Sequence, residues 1–579
     1  MNLVNLTING KPVSVPKGTS ILDAAKTIDI KIHNLCYLKA DEIRRLETCA
    51  SCRVCMVETD RGLVPSCGTL VKEGMKVETN SLRALNTRRR IVELILSDHP
   101  QDCLVCEKNG ECRLQEIAAD LGIRQISFKG SKSIDKMDTS SKSIVKDHSK
   151  CILCRKCEAV CNKIQTVGAI SGINRGFNTV VGTFFDADMV DTECTYCGQC
   201  VAVCPTGSLR EVNNISQVWR ELKNIDKTVV VQLAPAVRVA LGEEFGLDSG
   251  GLSTGKIVAA LKALGFEYVF DTNFGADLTI MEEASELIHR LKHNENLPIL
   301  TSCCSAWVNF IEYNYPEKLN LVSSCKSPQQ MFGAITKSYF ANKADIDPKD
   351  LCVVSVMPCI AKKYETNREE LEVDDIRDND ISITTREIAH MIKESGIDIL
   401  SLKDEDFDSP LGESTGAGTI FGASGGVTEA ALRTSYEWIT GETLENVDFK
   451  EVRGFRGIKE AQINIGGSEV NVCVVNSLGN ARKIMDDIVD GKSDYQIVEV
   501  MACPGGCIGG GGQPFHFGDY SIVKSRSKAL YKIDSNKEIR KSHENPSIKK
   551  LYDDFLGEPY SENSHKYLHT TFKNKSEVY

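Results

Sequence analysis

The chain has 579 residues, 41% hydrophobic and 26% charged, enough for several domains around a sizeable core. Its formal net charge of −11 argues against a nucleic-acid partner, and no apolar run approaches the ~18 residues of a membrane-spanning helix. The opening MNLVNLTINGKPVSV lacks the charged start and long apolar core of a signal peptide, so the expected compartment is the cytoplasm. Disulfides are disfavoured there, and the 24 cysteines, many at two-residue gaps, read as metal or iron–sulfur ligands.

Residues 1–80 begin with two alternating strands, LVNLTI and KPVSVP, around an Asn9-Gly10 hairpin turn, followed by a short helix, SILDAAKTI. Cys36 comes next, then Cys49, Cys52 and Cys55 in ETCASCRVCMVE, and finally Cys67. This order resembles a plant-type [2Fe–2S] ferredoxin of β-grasp fold, in which four thiolates hold the cluster. Five cysteines compete for four places. CRVCMVE matches that family's CxxCxVE pattern and implies Cys36, Cys52, Cys55 and Cys67, although Cys49 with Cys52 is also a CxxC pair. Residues 81–128 start with a helix, ALNTRRRIVELILS. Its Arg83, Arg88, Arg89 and Arg90 read as a solvated face, or as a docking patch for an acidic electron carrier. His99, Cys103, Cys106 and Cys112 then form an HxxxCxxCxxxxxC set whose mixed ligation suits zinc or an iron–sulfur cluster.

Residues 129–148, rich in Lys, Ser and Asp, read as a surface connector opening a domain at 129–210. CILCRKCEAVC and CTYCGQCVAVCP repeat one CxxCxxCxxxC pattern. They resemble bacterial two-cluster ferredoxins, where the fourth cysteine of each run ligates the other cluster. That resemblance groups Cys151, Cys154, Cys157 and Cys204 at one cluster, and Cys194, Cys197, Cys200 and Cys161 at the other. Over 211–579 the pattern is α/β: strands in TVVVQLAP, EYVFDT, LPILTSCC and DLCVVSVMPC, and helices in VRVALGEEFG, KIVAALKALG and TIMEEASELIHRLK. β-branched strands alternating with amphipathic helices predict buried sheets with ligands at the strand ends. No GxGxxG follows a strand, so no nicotinamide or flavin site is expected in this chain. Cys325, Cys352 and Cys473 read as small buried hydrophobes.

Three stretches in this last region place cysteines in a distinctive order: TSCCSAW at 301–307, VMPCIAKKYE at 356–365 and EVMACPGGCIGGGGQP at 499–514. The first two follow strand-like runs, and the third frames Cys503 and Cys507 in glycine, which lets a backbone approach a bulky ligand. They resemble the [FeFe]-hydrogenase signatures TSCCPxW, MPCxxKxxE and MACxxGCxxGGGxP. With FGADLTIMEEASE, KSPQQMFG, TTREIAHMI, GASGGVTEAALR and RKSHENPSIKKLYDDFLGEP, the resemblance spans essentially the whole chain and is to the large clostridial type with accessory clusters.

The resemblance implies a multi-domain α+β and α/β protein catalysing 2 H⁺ + 2 e⁻ ⇌ H₂, with ferredoxin or flavodoxin as electron carrier. It implies one [2Fe–2S] cluster and three accessory [4Fe–4S] clusters, one of them on His99, Cys103, Cys106 and Cys112. It further implies an H-cluster whose cubane takes Cys304, Cys359, Cys503 and Cys507. Cys507 would bridge to a two-iron unit with CO, CN⁻ and a dithiolate amine, delivered by maturation proteins. Ala234, Pro235, Gln329, Met357, Lys362 and Met501 would surround that unit. Protons would pass from Cys303 through Glu283, Ser323 and Glu286 to Arg290 at the surface; spacing alone makes Glu283, Glu286 and Arg290 a solvated helix face. Two departures stand out: Ser305 replaces the usual proline, which bears on loop rigidity, and Ala236 replaces a serine that bonds cyanide in some members. A sensor or assembly protein, the hydrogen-reacting subunit of an NAD-linked complex, and a plain electron-transfer protein are the alternatives.

Overall fold

The computed structural model describes residues 2–133 and 136–576. The N-terminal hairpin turns at Asn9 and Gly10, with φ of 49° and 75°, the two positive values that a tight type I′ connection demands. Its strands join a five-stranded sheet in the order Lys11–Pro16, Leu3–Ile8, Lys76–Glu78, Met56–Thr59, Gly62–Pro65. Val4, Leu6, Ile8, Val13 and Val15 point to one face and pack on Ile21 and Leu22 of a helix that Ser20 caps.

The helix Leu82–Asp98 follows, capped by Ser81. Its arginines do not all share a solvated face. Arg88 is buried, and its Nε donates to the Met56 carbonyl at 2.7 Å, tying the helix to the first sheet, whereas Arg83, Arg89 and Arg90 are exposed. The expected surface connector is also largely wrong in its second half. Ile144–Asp147 is a buried strand paired with Leu209–Glu211, and the Lys146 ammonium bonds Ser208 Oγ at 2.6 Å. Polar composition misled because these polar groups are satisfied inside the domain. Residues 134 and 135 of that stretch lie outside the described residues.

Beyond residue 211 the chain builds two four-stranded sheets. One is all parallel, in the order Tyr268–Asp271, Thr228–Leu233, Leu351–Met357, Ile381–Thr384. The other runs Ile299–Leu300, Ile497–Met501, Ser468–Asn476, Ile458–Ile465, with only the last pair antiparallel. Helices Thr254–Ala263 and Thr272–His293 form where the pattern predicted them. VRVALGEEFG does not form a regular helix; only Leu241–Phe245 makes a short 3₁₀ turn. Residues 231–242 are buried throughout, so the first half of the segment has no solvent side for an amphipathic helix. Its Arg238 instead bonds Asp271 and the Leu233 carbonyl. No helix among the described residues is long and apolar enough to cross a membrane.

Candidate active site

The site lies where parallel strands end. Leu233 leads into Ala234 and Pro235, Leu300 into Cys303 and Cys304, Met357 into Cys359, and Met501 into Cys503. Such carboxyl ends are where open α/β sheets leave a crevice. Glu499 anchors the last of them: its buried carboxylate accepts the Gly425 and Thr428 amides at 2.6 and 2.8 Å, at the start of the helix Gly426–Thr440. The following glycine run threads through gaps that exclude a side chain. A Cβ on Gly510 would lie 2.1 Å from the Pro358 carbonyl, and one on Gly511 would lie 2.7 Å from the Gly198 Cα.

Cys304, Cys359, Cys503 and Cys507 converge closely enough that neighbouring thiols of the set raise the pKa of Cys359, Cys503 and Cys507, on top of the larger effect of burial. Burial raises Cys304, and burial followed by Cys304 pushes Cys359 up to about 11. Four thiols held together, one buried and three half-buried, and unwilling to ionise, fit a site for a polynuclear metal centre, whose positive charge is what four thiolates need. Ala234, Pro235, Met357 and Met501 are buried around the same strand ends. The Gln329 side chain is held in place by Glu365, to which Nε2 donates at 3.1 Å, and by Ser355, from which Oε1 accepts at 2.8 Å.

Lys362 is buried beside this cysteine set. Its ammonium bonds the Cys303 carbonyl at 3.2 Å and both Glu365 oxygens at 2.9 and 2.8 Å. Burial lowers its pKa, but the Glu365 carboxylate more than offsets this and holds the lysine above its ordinary value. Glu365 also accepts from Ser305, Ser327, Gln329 and Gln330. The sequence reading missed its role, although it closes the MPCxxKxxE pattern. Ser305 is the first residue of the helix Ser305–Asn314, and its hydroxyl donates to Glu365 at 2.7 Å, so the loop is anchored without the proline. Ala236 is fully buried and its carbonyl accepts from Gln513 at 2.9 Å.

Cys303 is buried beside Glu283, and burial followed by that carboxyl raises the thiol well above its usual pKa. Glu283 lies on the helix Thr272–His293, and its Oε1 is buried without a hydrogen-bond partner. Burial, then Glu286, pushes its pKa up to about 8. Ser323 lies near enough to Glu283 to lower its pKa slightly, and its hydroxyl donates to Glu286 Oε2 at 2.7 Å. Arg290 Nη2 bonds Glu286 Oε1 at 2.6 Å. Arg290 is not at the surface: it is only 7% exposed, and its other donors bond the Asn296, Leu321 and Val322 carbonyls. Nor are Glu283 and Glu286 a solvated face; both are buried.

The accessory cysteines gather in separate groups. Cys151, Cys154, Cys157 and Cys204 line one small cavity within residues 129–210, while Cys200 interacts with Cys161, Cys194 and Cys197. The latter group abuts the strand-end site, with Cys503 Sγ 3.9 Å from the Cys197 carbonyl. In the N-terminal domain the Cys52 amide donates to Cys36 Sγ at 3.4 Å, Cys55 and Cys67 sulfurs are 3.3 Å apart, and Cys49 is exposed. His99 has a buried Nδ1 with no partner, and burial lowers its pKa to about 4, leaving a neutral nitrogen free to ligate. Cys106 lies near Gly207, and the neighbouring Cys103, Leu104 and Val105 are exposed.

Family comparison agrees with this layout. Residues 227–511 match the C-terminal domain of the iron-only hydrogenase large subunit, and 520–575 the iron hydrogenase small subunit. Residues 1–82 match a 2Fe-2S cluster binding domain, 88–127 an NADH-ubiquinone oxidoreductase-G iron-sulfur region, and 132–208 a 4Fe-4S dicluster domain. The chain is 54% identical to the NADP-reducing hydrogenase subunit HndD of Solidesulfovibrio fructosivorans, over 99% of each. It is 39% identical to iron hydrogenase 1 of Clostridium pasteurianum, covering 98% of this chain and 99% of that one. A solved apo [FeFe]-hydrogenase from Chlamydomonas reinhardtii is 44% identical and superposes with a TM-score of 0.57, covering 63% of this chain and 99% of that chain. With three cysteine loops at one set of strand ends and accessory iron–sulfur domains before them, the chain belongs to the [FeFe]-hydrogenase family.

Proposed function

We propose that the chain catalyses 2 H⁺ + 2 e⁻ ⇌ H₂ at the strand-end site, with protons handled by its own buried side chains. The observation that carries this is the unpartnered Glu283 oxygen beside Cys303, backed by Ser323 and Glu286. Cys304, Cys359, Cys503 and Cys507 would hold the cubane, and Ala234, Pro235, Gln329, Met357, Lys362 and Met501 would line the place of the two-iron unit beside Cys507. The bound cluster supplies the redox chemistry of hydrogen. The chain moves protons: Cys303 exchanges one with the site, Glu283 resupplies it, and Ser323 relays to Glu286. With a pKa of about 8, Glu283 is mostly protonated at pH 7 and gives up its proton as pH rises through that value. Glu283→Gln should cut hydrogen evolution on the order of 10²-fold and flatten its decline above neutrality. Unchanged rates across that range would remove Glu283 from the route.

Cys36, Cys52, Cys55 and Cys67 would hold one [2Fe–2S] cluster and the remaining accessory ligands three [4Fe–4S] clusters, which would supply the electron relay. Cys49→Ala should keep the [2Fe–2S] electron paramagnetic resonance signal, and Cys52→Ala should lose it; the reverse pattern would reassign the ligands. Ferredoxin or flavodoxin is the proposed carrier. A second reading, a flavin-bearing partner protein, is supported by the likeness to an NADP-reducing hydrogenase subunit and by Leu104 and Val105, 92% and 82% exposed beside Cys103. Hydrogen-dependent reduction of purified ferredoxin by the isolated chain favours the first. Reduction of nicotinamide only with a co-purifying flavoprotein favours the second.

A further inference from the structure

The Glu286 carboxylate has few ways to pass a proton outward. Arg290 bonds it, but a guanidinium stays charged in proteins, and this one is buried with its remaining donors on carbonyls. It holds Glu286 in place and has no proton to give. Cys325 Sγ lies 3.8 Å from Glu286 Oε2, in a fully enclosed spot where burial raises its thiol far above the usual range. Ser323, which donates to Glu286 Oε2 at 2.7 Å, is the link on the Glu283 side.

Ser324 is the remaining partner, and it leads to a titratable ring. Its amide bonds both Glu286 oxygens at 3.3 and 3.2 Å, and its Oγ lies 3.4 Å from Oε1. That hydroxyl is also 2.7 Å from His569 Nδ1. The other ring nitrogen, His569 Nε2, is 3.0 Å from Oε2 of Glu282, a fully buried carboxyl that also accepts from the Tyr552 hydroxyl and the Tyr560 amide. A carboxylate at Nε2 fixes the Nε2–H tautomer, so the Nδ1 lone pair faces the Ser324 hydroxyl. The His569 ring is 8% exposed and lies 4.1 Å, centroid to centroid, from His565, which is exposed to solvent. The groups facing His569 are thus Glu282, Glu286 and His565, with Tyr552 and Tyr560 beside Glu282, and Arg290 and Cys325 behind Glu286.

We propose that Ser324 and His569 form the outer segment of the proton route, linking Glu286 to solvent at His565, while Arg290 positions Glu286. This rests on the reading of Cys303, Glu283 and Glu286 as the inner segment. Each transfer moves one proton and no electron. Outward, Glu286 protonates Ser324 Oγ as the serine's own proton passes to His569 Nδ1. The imidazolium turns its Nδ1–H toward water beside His565, releases that proton there, and turns back with Nε2–H still in place, which restores the starting tautomer. Hydrogen evolution runs the same steps in reverse.

The test uses Ser324→Ala, Ser324→Thr and His569→Gln in the full-length, iron-replete protein; the glutamine keeps a donor for Glu282 but cannot titrate. Ser324→Ala and His569→Gln should each lower hydrogen evolution on the order of 10²-fold and alter its pH profile. Ser324→Thr, which restores the hydroxyl, should recover most of the rate. In protein prepared without the two-iron unit, the buried carboxyl bands in the infrared should exchange in D₂O more slowly in Ser324→Ala than in the parent. Parent rates and parent exchange in both Ser324→Ala and His569→Gln overturn the proposal, as does a threonine variant no better than alanine. If Cys303→Ala and Glu283→Gln silence the enzyme while these two do not, only the outer segment falls. If none of the four matters, the inner route falls as well.

Discussion

Replacing Cys303 with alanine should leave every cluster in place and lower hydrogen evolution on the order of 10³-fold or more. The sulfur is adjacent in sequence to Cys304 but is separated from it in role by its neighbour, the buried Glu283. Its pKa is raised well above the ordinary value, so the free thiol is protonated at neutral pH and holds the proton a buried site cannot take from water. Alanine removes that proton while keeping the backbone carbonyl that accepts from Lys362. Iron content, cluster spectra and evolution rate measured on one preparation check this. Clusters intact with near-parent turnover would show that protons reach the site another way.

Glu365→Ala should be the most damaging change outside the cysteines. One buried carboxylate there accepts from Lys362, Ser305, Ser327, Gln329 and Gln330. Its loss leaves the Lys362 ammonium with only the Cys303 carbonyl in a buried setting. Stranding one partner of a buried ion pair typically costs about 3–5 kcal/mol. The same change unpins the first turn of the helix Ser305–Asn314, which carries Cys304 at its start. The expected result is a lowered melting temperature together with reduced iron loading at the strand-end site, while the accessory clusters keep their spectra. Wild-type melting and full loading would mean that the five donors find water or one another, and that the pair contributes little.

Much of this arrangement was readable from local pattern. Cysteine runs such as CILCRKCEAVC announce their chemistry because the spacing itself sets which thiols can meet. The Asn9-Gly10 turn and the β-branched runs ending at Met357 and Met501 are equally local signals. What escaped depends on partners distant in sequence. Arg88 looked like surface charge until the Met56 carbonyl, 32 residues away, took its donor. Arg290 looked solvated on its helix, yet three carbonyls from the loops at 296 and 321–322 enclose it. His569 meets Ser324 across 245 residues, and no periodicity brings those two together. VRVALGEEFG has a fair helical pattern, but burial of residues 237–242 and the Arg238–Asp271 pair override propensity.

The measurement that bears most directly on the central claim is hydrogen evolution from reduced viologen, using protein made anaerobically with and without maturation proteins. The account predicts activity only in the matured, iron-replete sample, and none in the unmatured one despite intact accessory cluster spectra. A correctly folded, matured and fully iron-loaded chain that evolves no hydrogen would contradict it and favour a sensing or assembly role for the same fold.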